Sequence, residues 1–535
     1  MNTDVTQSKN NDSQKSKSEV KKAILRMGSN YIRLFASVAI GLMLVRLIVG
    51  NWGDDAWGLI ALLGGTLGIA AMLQDIVRQS MIRELASALH SGNPKRFLSM
   101  YNSALVVTAG VALVTSVVVL VLVLILPLFD IPEDMLEVAR WLVVAKGIET
   151  IFAIIFGAPM NMYIATERMA LSNMWIVGQR LCPIIAASWL IFGIGLDDPI
   201  QGLKMYAVVS ASLFILVQVT AVATITVIDR RMIPRLKYVT KSTIRELLHI
   251  GGWNAVAVTS LGMHTRIDAI LMNLYFGLPG NVIYGFTSQL TSYVRMLAMG
   301  VSYGLDAVST RLSSNEGEDA VRNLCKHITR LNSCIALPAA AGLFVMAGPI
   351  LTIWIGDRMS DPTTQLPLTI VLIRIMCIGM AIRALTDGWI KIMYGAGHVT
   401  KYAPLILGGV IANPILAVAL FYILPESSRF IFAVTSYTTV YIVFNLGFLP
   451  RLMGKLLGGS TYSMFQPAIG PLVITLVSAS ALFYAAMQVK TWSIIPFVTV
   501  CAGYGVLYAV LVFVFILRVD ERKLALRLVK KILPM

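Results

Sequence analysis

Repeated apolar segments, each long enough to cross a membrane, dominate this sequence. A membrane-spanning helix needs about 20 mostly apolar residues, and the chain holds about fourteen such runs. Of its 535 residues, 57% are hydrophobic and 13% are charged, against about 45–50% and about 25% in soluble domains. The core of a soluble protein cannot bury so many apolar residues, because such cores stop growing near 250–300 residues. The runs predict an all-α polytopic membrane protein and exclude a β-barrel, whose strands alternate polar and apolar residues.

The predicted spans fall into groups of about six, six and two along the chain. We therefore predict a cytoplasmic tail at 1–27, an N-terminal lobe at 28–228, a cytoplasmic linker at 229–252, a C-terminal lobe at 253–450, two extra helices at 467–517 and a basic amphipathic cytoplasmic tail at 518–535. The last tail is expected to lie on the anionic inner leaflet rather than to bind a partner protein.

Basic residues are concentrated on one side of the predicted membrane. With a cytoplasmic N-terminus, about 31 Lys and Arg side chains fall on the inner side and about 5 on the outer side. The outer segments are acidic or neutral, as at Asp54, Asp130 and Asp197. This pattern predicts that both termini are cytoplasmic. It also accounts for the net charge of +16 without nucleic-acid binding.

A short motif recurs at the same place in each group of six spans. Residues 50–58 and 277–285 both read G-x-x-G-x-x-x-(W/Y)-G. An even number of spans per unit makes this a parallel repeat, related by an axis along the membrane normal. Two such lobes normally enclose a central cavity. The alternative is that the same common type of helix hairpin arose twice by chance.

Ionisable residues inside the spans are mostly cationic. Because such residues are costly in a membrane, they usually face a cavity or one another. A guanidinium group suits phosphate through paired hydrogen bonds. The arginines that we predict to bind an anionic substrate group are Arg33, Arg180, Arg266 and Arg295.

Acidic residues in the spans are the candidates for ion or proton coupling. The candidates are Asp268, Glu149 and Asp75. Structural interpretations stay open: Glu149 could pair with Lys146, Asp387 could pair with Arg383, and Arg33 lies close enough to an interface to snorkel. No sequence feature distinguishes coupling from structure at these positions.

Metal-binding and catalytic signatures are absent from the sequence. Its 5 cysteines lie in or beside apolar segments, without a CxxC spacing. No Walker, H-E-x-x-H or G-x-S-x-G motif is present. We therefore expect no cofactor and no enzymatic activity.

Several stretches resemble the Wzx-type polysaccharide flippases of the MOP exporter superfamily. They are residues 44–50 with 57–58, 73–75 with 83–86, 247–251 with 266–271 and 284–285, and 395–398. One departure is Val77, where such proteins often have glycine, and it puts the local geometry near Asp75 in doubt.

The resemblance implies a V-shaped, two-lobed transporter that works by alternating access in a bacterial inner membrane. It implies that a polyprenyl-diphosphate-linked oligosaccharide moves from the inner to the outer leaflet, for O-antigen, capsule or exopolysaccharide synthesis. Membrane lipids are further partners, and a polysaccharide polymerase and chain-length proteins are candidate protein partners. The last two helices would form a groove for the lipid tail.

Other functions remain open at this point. A MATE-like cation-coupled multidrug exporter should have an acid-dominated cavity, opposite to the balance here. A flippase for lipid II, the peptidoglycan precursor, differs only in its cargo. A membrane-embedded glycan polymerase or ligase is expected to carry a large outer loop, whereas the outer loops here are about 5–12 residues long, a length that merely joins helices.

Overall fold

A computed structural model of the protein describes residues 28, 31–250, 252–302, 305–519 and 521–523, with the backbone alone at 75–80, 83, 249, 250, 252, 254, 255, 258 and 307. The predicted tail at 1–27, the side chain of Asp75 and the end of the tail at 518–535 lie outside this description. The helices are Tyr31–Trp52 (α1), Asp54–His90 (α2), Pro94–Ile125 (α3), Glu133–Ile155 (α4), Gly157–Ala165 (α5), Met169–Ser188 (α6), Pro199–Ile228 (α7), Lys241–Ile250 (α8), Gly252–Met299 (α9), Leu305–Asn315 (α10), Glu318–Leu351 (α11), Pro362–Gly395 (α12), Val399–Ile423 (α13), Phe432–Tyr441 (α14), Leu449–Leu457 (α15), Thr461–Met487 (α16) and Ile494–Phe515 (α17).

The all-α polytopic fold is confirmed, and the described residues contain no strand. Among these residues, eleven helical stretches are long and apolar enough to cross a membrane. The pair α4 and α5, bent by 50°, makes a twelfth if it is one span. The predicted span 253–276 and most of the predicted span 282–305 lie in α9, which turns at Gly277 (φ 61°, ψ −156°) and is not one of these eleven stretches. Glycine suits this turn because it adopts positive φ without a Cβ clash.

Local sequence signals explain where several helices begin. The Asn93 side chain accepts hydrogen bonds from the backbone N–H groups of Lys95 and Arg96, and Pro94 opens α3. Asp198 accepts from two backbone N–H groups in the same way at the start of α7, again followed by proline. Both are N-caps, which satisfy donors that the first helical turn leaves unpaired.

Contacts along the chain define two compact units. The first unit comprises the described parts of Met1–Asn51, Ala70–Pro127 and Pro132–Gly252. The second comprises the described parts of Trp52–Ile69, Leu128–Ile131 and Trp253–Met535. The predicted division at 28–228 and 253–450 follows chain order, whereas these units assign the two halves of α2 to different units.

The first unit has an apolar core between α3, α5, α7 and α8. Phe97, Tyr101 and Tyr163 are its large, fully buried aromatic side chains, and Met232 from the linker joins them. Tyr163 also donates a hydrogen bond to the Ala221 carbonyl at 2.7 Å. A buried phenol needs such a partner, because an unmade hydrogen bond in an apolar core is costly.

The second unit contains residues 52–58 of the first copy of the repeated motif and all of the second copy, and these two segments pack against each other. A Cβ on Gly58 would lie 2.8 Å from Val282 Cγ2, and a Cβ on Gly285 would lie 2.9 Å from Trp57 Nε1. The last glycine of each copy thus lies against the helix that carries the other copy. Such reciprocity is what a two-fold-related pair produces, and it supports the interpretation of these segments as a repeat.

Polar contacts also attach the two short inserted segments to the second unit. The Ser360 hydroxyl donates to Asp54 Oδ1 at 2.5 Å, at the start of α2. The Asn273 side chain accepts from the Asp130 N–H at 3.0 Å and donates to its carbonyl at 3.2 Å. These contacts satisfy backbone and carboxylate groups at the ends of apolar helices, where they would otherwise lack partners.

Candidate functional site

Arg266 lies against a glycine face of α2 within the second unit. A Cβ on Gly68 would lie 2.5 Å from Arg266 Nε, and a Cβ on Gly65 would lie 3.0 Å from Ala269 Cβ. A Cβ on Gly64, by contrast, would meet nothing within 4 Å. The absence of side chains at Gly65 and Gly68 therefore makes room for α9 and its guanidinium group. The Arg266 side chain remains partly exposed.

Arg295, also on α9, forms an ion pair with Asp387 on α12. Its Nε donates to Asp387 Oδ2 at 2.5 Å, and the two side chains are 28% and 6% exposed. The alternative of a pair between Arg383 and Asp387 is therefore wrong, because Asp387 binds Arg295 instead. Arg383 donates to the Leu261 carbonyl at 2.5 Å. A buried guanidinium can be satisfied by a carbonyl that sequence spacing does not reveal.

Asp268 is fully buried between α9 and α13. Asn413 Nδ2 donates to its Oδ1 at 2.7 Å, and the Tyr284 hydroxyl lies 3.4 Å from its Oδ2. Ser436 on α14 donates to Asn413 Oδ1 at 3.0 Å, which fixes the orientation of that amide. No Lys, Arg or His nitrogen of the described chain makes an ion pair with Asp268. A buried carboxylate in this situation needs a proton or a bound cation to offset its charge.

Glu149 and Lys146 form the polar cluster of the first unit, between α4 and α7. Lys146 Nζ lies 2.8 Å from Glu149 Oε1, and Ser210 donates to the same oxygen at 3.2 Å. The lysine balances the charge of the carboxylate. Glu149 is therefore a paired residue, unlike Asp268.

The remaining predicted substrate-binding arginines also lie in the first unit. Arg33 is partly exposed on α1, and Arg180 is exposed on α6. The four predicted arginines are thus divided evenly between the two units. A single site shared by all four stays a prediction.

Sequence reasoning missed the side chains that surround Asp268. Asn413 is a buried amide inside the long apolar helix α13, and Ser436 is a buried hydroxyl on α14. An amide within an apolar span was the available signal, because such a group needs a partner there. Across the described residues, no group of three or more His, Cys, Asp or Glu side chains could hold a metal ion.

Comparisons with known proteins agree with this architecture. The family described as "Polysaccharide biosynthesis protein" matches residues 150–362. The "Uncharacterized membrane protein EpsK" of Bacillus subtilis (strain 168) is 22% identical, over 95% of this chain and 98% of that protein.

Solved structures show the same fold at low identity. The "Lipid II flippase MurJ, inward closed conformation" aligns with a TM-score of 0.64 at 12% identity, over 90% of this chain and 98% of that one. An inward-facing MATE family transporter of the MOP superfamily aligns with a TM-score of 0.65 at 12% identity, over 79% of this chain and 99% of that one. The fold is thus that of multi-pass membrane transporters and flippases.

The sequence matches add a similarity to polysaccharide biosynthesis proteins. The chain is thus similar in sequence to a polysaccharide biosynthesis family over residues 150–362 and to EpsK over most of its length, and it shares its fold with the MurJ and MATE structures.

Proposed function

We propose that this protein moves a polyprenyl-diphosphate-linked oligosaccharide repeat unit from the inner to the outer leaflet of a bacterial inner membrane. The unit would serve the synthesis of O-antigen, capsule or exopolysaccharide. Movement would follow alternating access, with both termini in the cytoplasm. A polysaccharide polymerase and chain-length proteins would then use the repeat unit in the outer leaflet.

The observation that carries this proposal is the presence of two partly exposed arginines on α9. Arg266 and Arg295 lie in the predicted spans 253–276 and 282–305, and an arginine inside a membrane is costly unless it faces a polar space or a charged ligand. Gly68 leaves room for the first, and Asp387 orients the second. Guanidinium groups bind phosphate with two parallel hydrogen bonds, which suits a diphosphate better than it suits a cationic drug.

Asp268 is the coupling residue in this proposal. Its carboxylate is buried and accepts hydrogen bonds from Asn413 and Tyr284, and within the described part of the chain it has no basic partner. Uptake of a proton or a monovalent cation would offset its charge, and release would restore it. Glu149 is the weaker candidate because Lys146 already pairs with it.

The cargo is tested by lipid extraction from a strain that lacks the gene. Mass spectrometry should find an accumulated polyprenyl-diphosphate oligosaccharide, together with loss of a surface glycan. Accumulated lipid II would instead identify a peptidoglycan-precursor flippase. An unchanged lipid pool with greater sensitivity to cationic drugs would identify an exporter. Either result would overturn the proposal.

The site is tested by complementation of the same strain. Arg266→Glu and Arg295→Glu should leave the lipid-linked oligosaccharide accumulated although the protein is present in the membrane. Arg311→Glu, a charge reversal at an exposed position on α10, is the matched control and should complement. Full complementation by both α9 variants would refute the assignment of these arginines.

A further inference from the structure

The linker between α7 and α8 is held on the surface of the first unit. The Arg235 N–H donates to Asn102 Oδ1 at 2.5 Å, and the Thr240 N–H donates to Ser103 Oγ at 3.3 Å, both on α3. Met232 is fully buried in the apolar core of the unit. The linker therefore has a fixed position against α3 and is not a loose tether.

The fixed linker presents cations and aliphatic side chains to the outside. Arg230, Arg235 and Lys237 are exposed, and in the described chain none of them forms an ion pair. Leu236 is 79% exposed and Ile233 is 45% exposed. Exposure of these aliphatic side chains to water is unfavourable, because apolar surface is stabilised when it is removed from water. We name these five residues the linker patch.

Other charges nearby do not neutralise the linker patch. Arg231 Nη2 lies 2.7 Å from Asp229 Oδ2, so the carboxylate of Asp229, which adjoins Arg230 in the chain, already has a partner. The guanidinium of Arg231 also lies over the Phe97 ring, 5.3 Å from its centroid. The linker patch consequently keeps its three positive charges.

The length of the preceding helix predicts that the linker patch lies outside the hydrocarbon core, at the level of the lipid headgroups. Asp229 follows directly after α7, whose 30 residues extend about 45 Å. The hydrocarbon core of a bilayer is only about 30 Å thick. Ser99, near the start of α3, also contacts the linker through Thr240 at 3.2 Å. Both helix ends thus hold the linker next to the membrane surface.

We propose that the linker patch binds the anionic phospholipid headgroups of the membrane that contains the protein. The cations would contact the lipid phosphates, while Leu236 and Ile233 would insert beside the first carbons of the acyl chains. Charge complementarity favours this partner, because the cytoplasmic leaflet attracts basic segments. Aliphatic side chains between the cations suit a lipid interface, where both kinds of contact are made together.

The test is native mass spectrometry of the purified full-length protein, titrated with phosphatidylglycerol or with phosphatidylcholine. The variant is R235Q/K237Q, which removes two charges from the linker patch. The matched control is R451Q/K455Q, which removes two exposed charges from α15. Thermal unfolding of each protein in detergent is the control that checks whether it is folded.

We expect the linker variant to bind phosphatidylglycerol about 30-fold more weakly, since each surface cation contributes about fivefold. The control variant should bind as the wild type does, and phosphatidylcholine binding should change little in either. Equal loss in both variants, or no loss in the linker variant, would overturn the proposal. Should the double variant be unstable, R235Q and K237Q alone should each give the fivefold loss.

Leu236→Ser tests the apolar part of the proposal separately. It keeps every charge of the linker patch and should weaken the retention of both lipids. Unchanged retention would show that the side chain does not insert. All of these measurements concern phospholipid binding and do not depend on which cargo the protein transports.

Discussion

Removing the ion pair between Arg295 and Asp387 separates its role in stability from its role in transport. Arg295→Leu alone would leave the Asp387 carboxylate, only 6% exposed, without its partner. Breaking a buried pair in this way costs about 3–5 kcal/mol. Asp387→Leu alone should cost less, because the Arg295 side chain is 28% exposed and can reach polar surroundings.

The double variant Arg295→Leu/Asp387→Leu leaves no charge behind. Replacing a buried pair by apolar residues of similar volume is often neutral or stabilising. A chain of 535 residues has an unfolding entropy of roughly 1.1 kcal/mol/K, so the loss in Arg295→Leu should lower Tm by about 3–4 °C. The double variant should recover most of this decrease.

Transport should not recover in parallel with stability. Thermal unfolding in detergent measures the first quantity, and complementation of the strain lacking the gene measures the second. If Arg295 contacts the diphosphate, the double variant is stable and inactive. A double variant that recovers both stability and transport would refute the role of Arg295 in substrate binding and leave the pair as purely structural.

Two further predictions follow from local geometry. Gly68→Ala should impair transport because its Cβ would displace the Arg266 side chain, whereas Gly64→Ala, which meets nothing within 4 Å, should complement the deletion strain normally; equal effects in complementation would contradict the proposed role of the glycine face. The second concerns Asp229, whose pKa is lowered chiefly by the side-chain hydrogen bonds of Arg231. Its contribution to stability is therefore present above the ordinary aspartate pKa of about 3.9 and lost as the pH falls below it. The Tm difference between wild type and Asp229→Asn should be full at neutral pH and should close in acid; a difference independent of pH would contradict this reasoning.

Much of the fold could be predicted from local features of the sequence. Long apolar runs require helices, because a bilayer offers no hydrogen-bond partners to the backbone. Caps such as Asn93 with Pro94 mark helix starts, and Gly277 marks the turn within α9. These signals act over a few residues, so they can be read without knowing how the helices pack.

The candidate site could be predicted only in part. Arg266, Arg295 and Asp268 were found because charged residues inside apolar runs stand out. The pairing of these residues was not found, because the partners lie far apart along the chain: Asn413 is 145 positions away from Asp268. The i,i+4 spacing of Arg383 and Asp387 suggested a pair that does not form.

The sequence by itself determined that this chain is a polytopic helical membrane protein with cationic residues in its spans, because hydropathy and charge are properties of each segment alone. The tertiary structure decided which charges are paired. It paired Asp387 with Arg295 and placed Arg266 against a glycine face, and within the described residues it left Asp268 with an amide and a phenol as its side-chain partners. The physical reason is that a buried charge is stabilised by whichever groups packing brings within about 3 Å of it, and packing joins residues that lie far apart in the sequence.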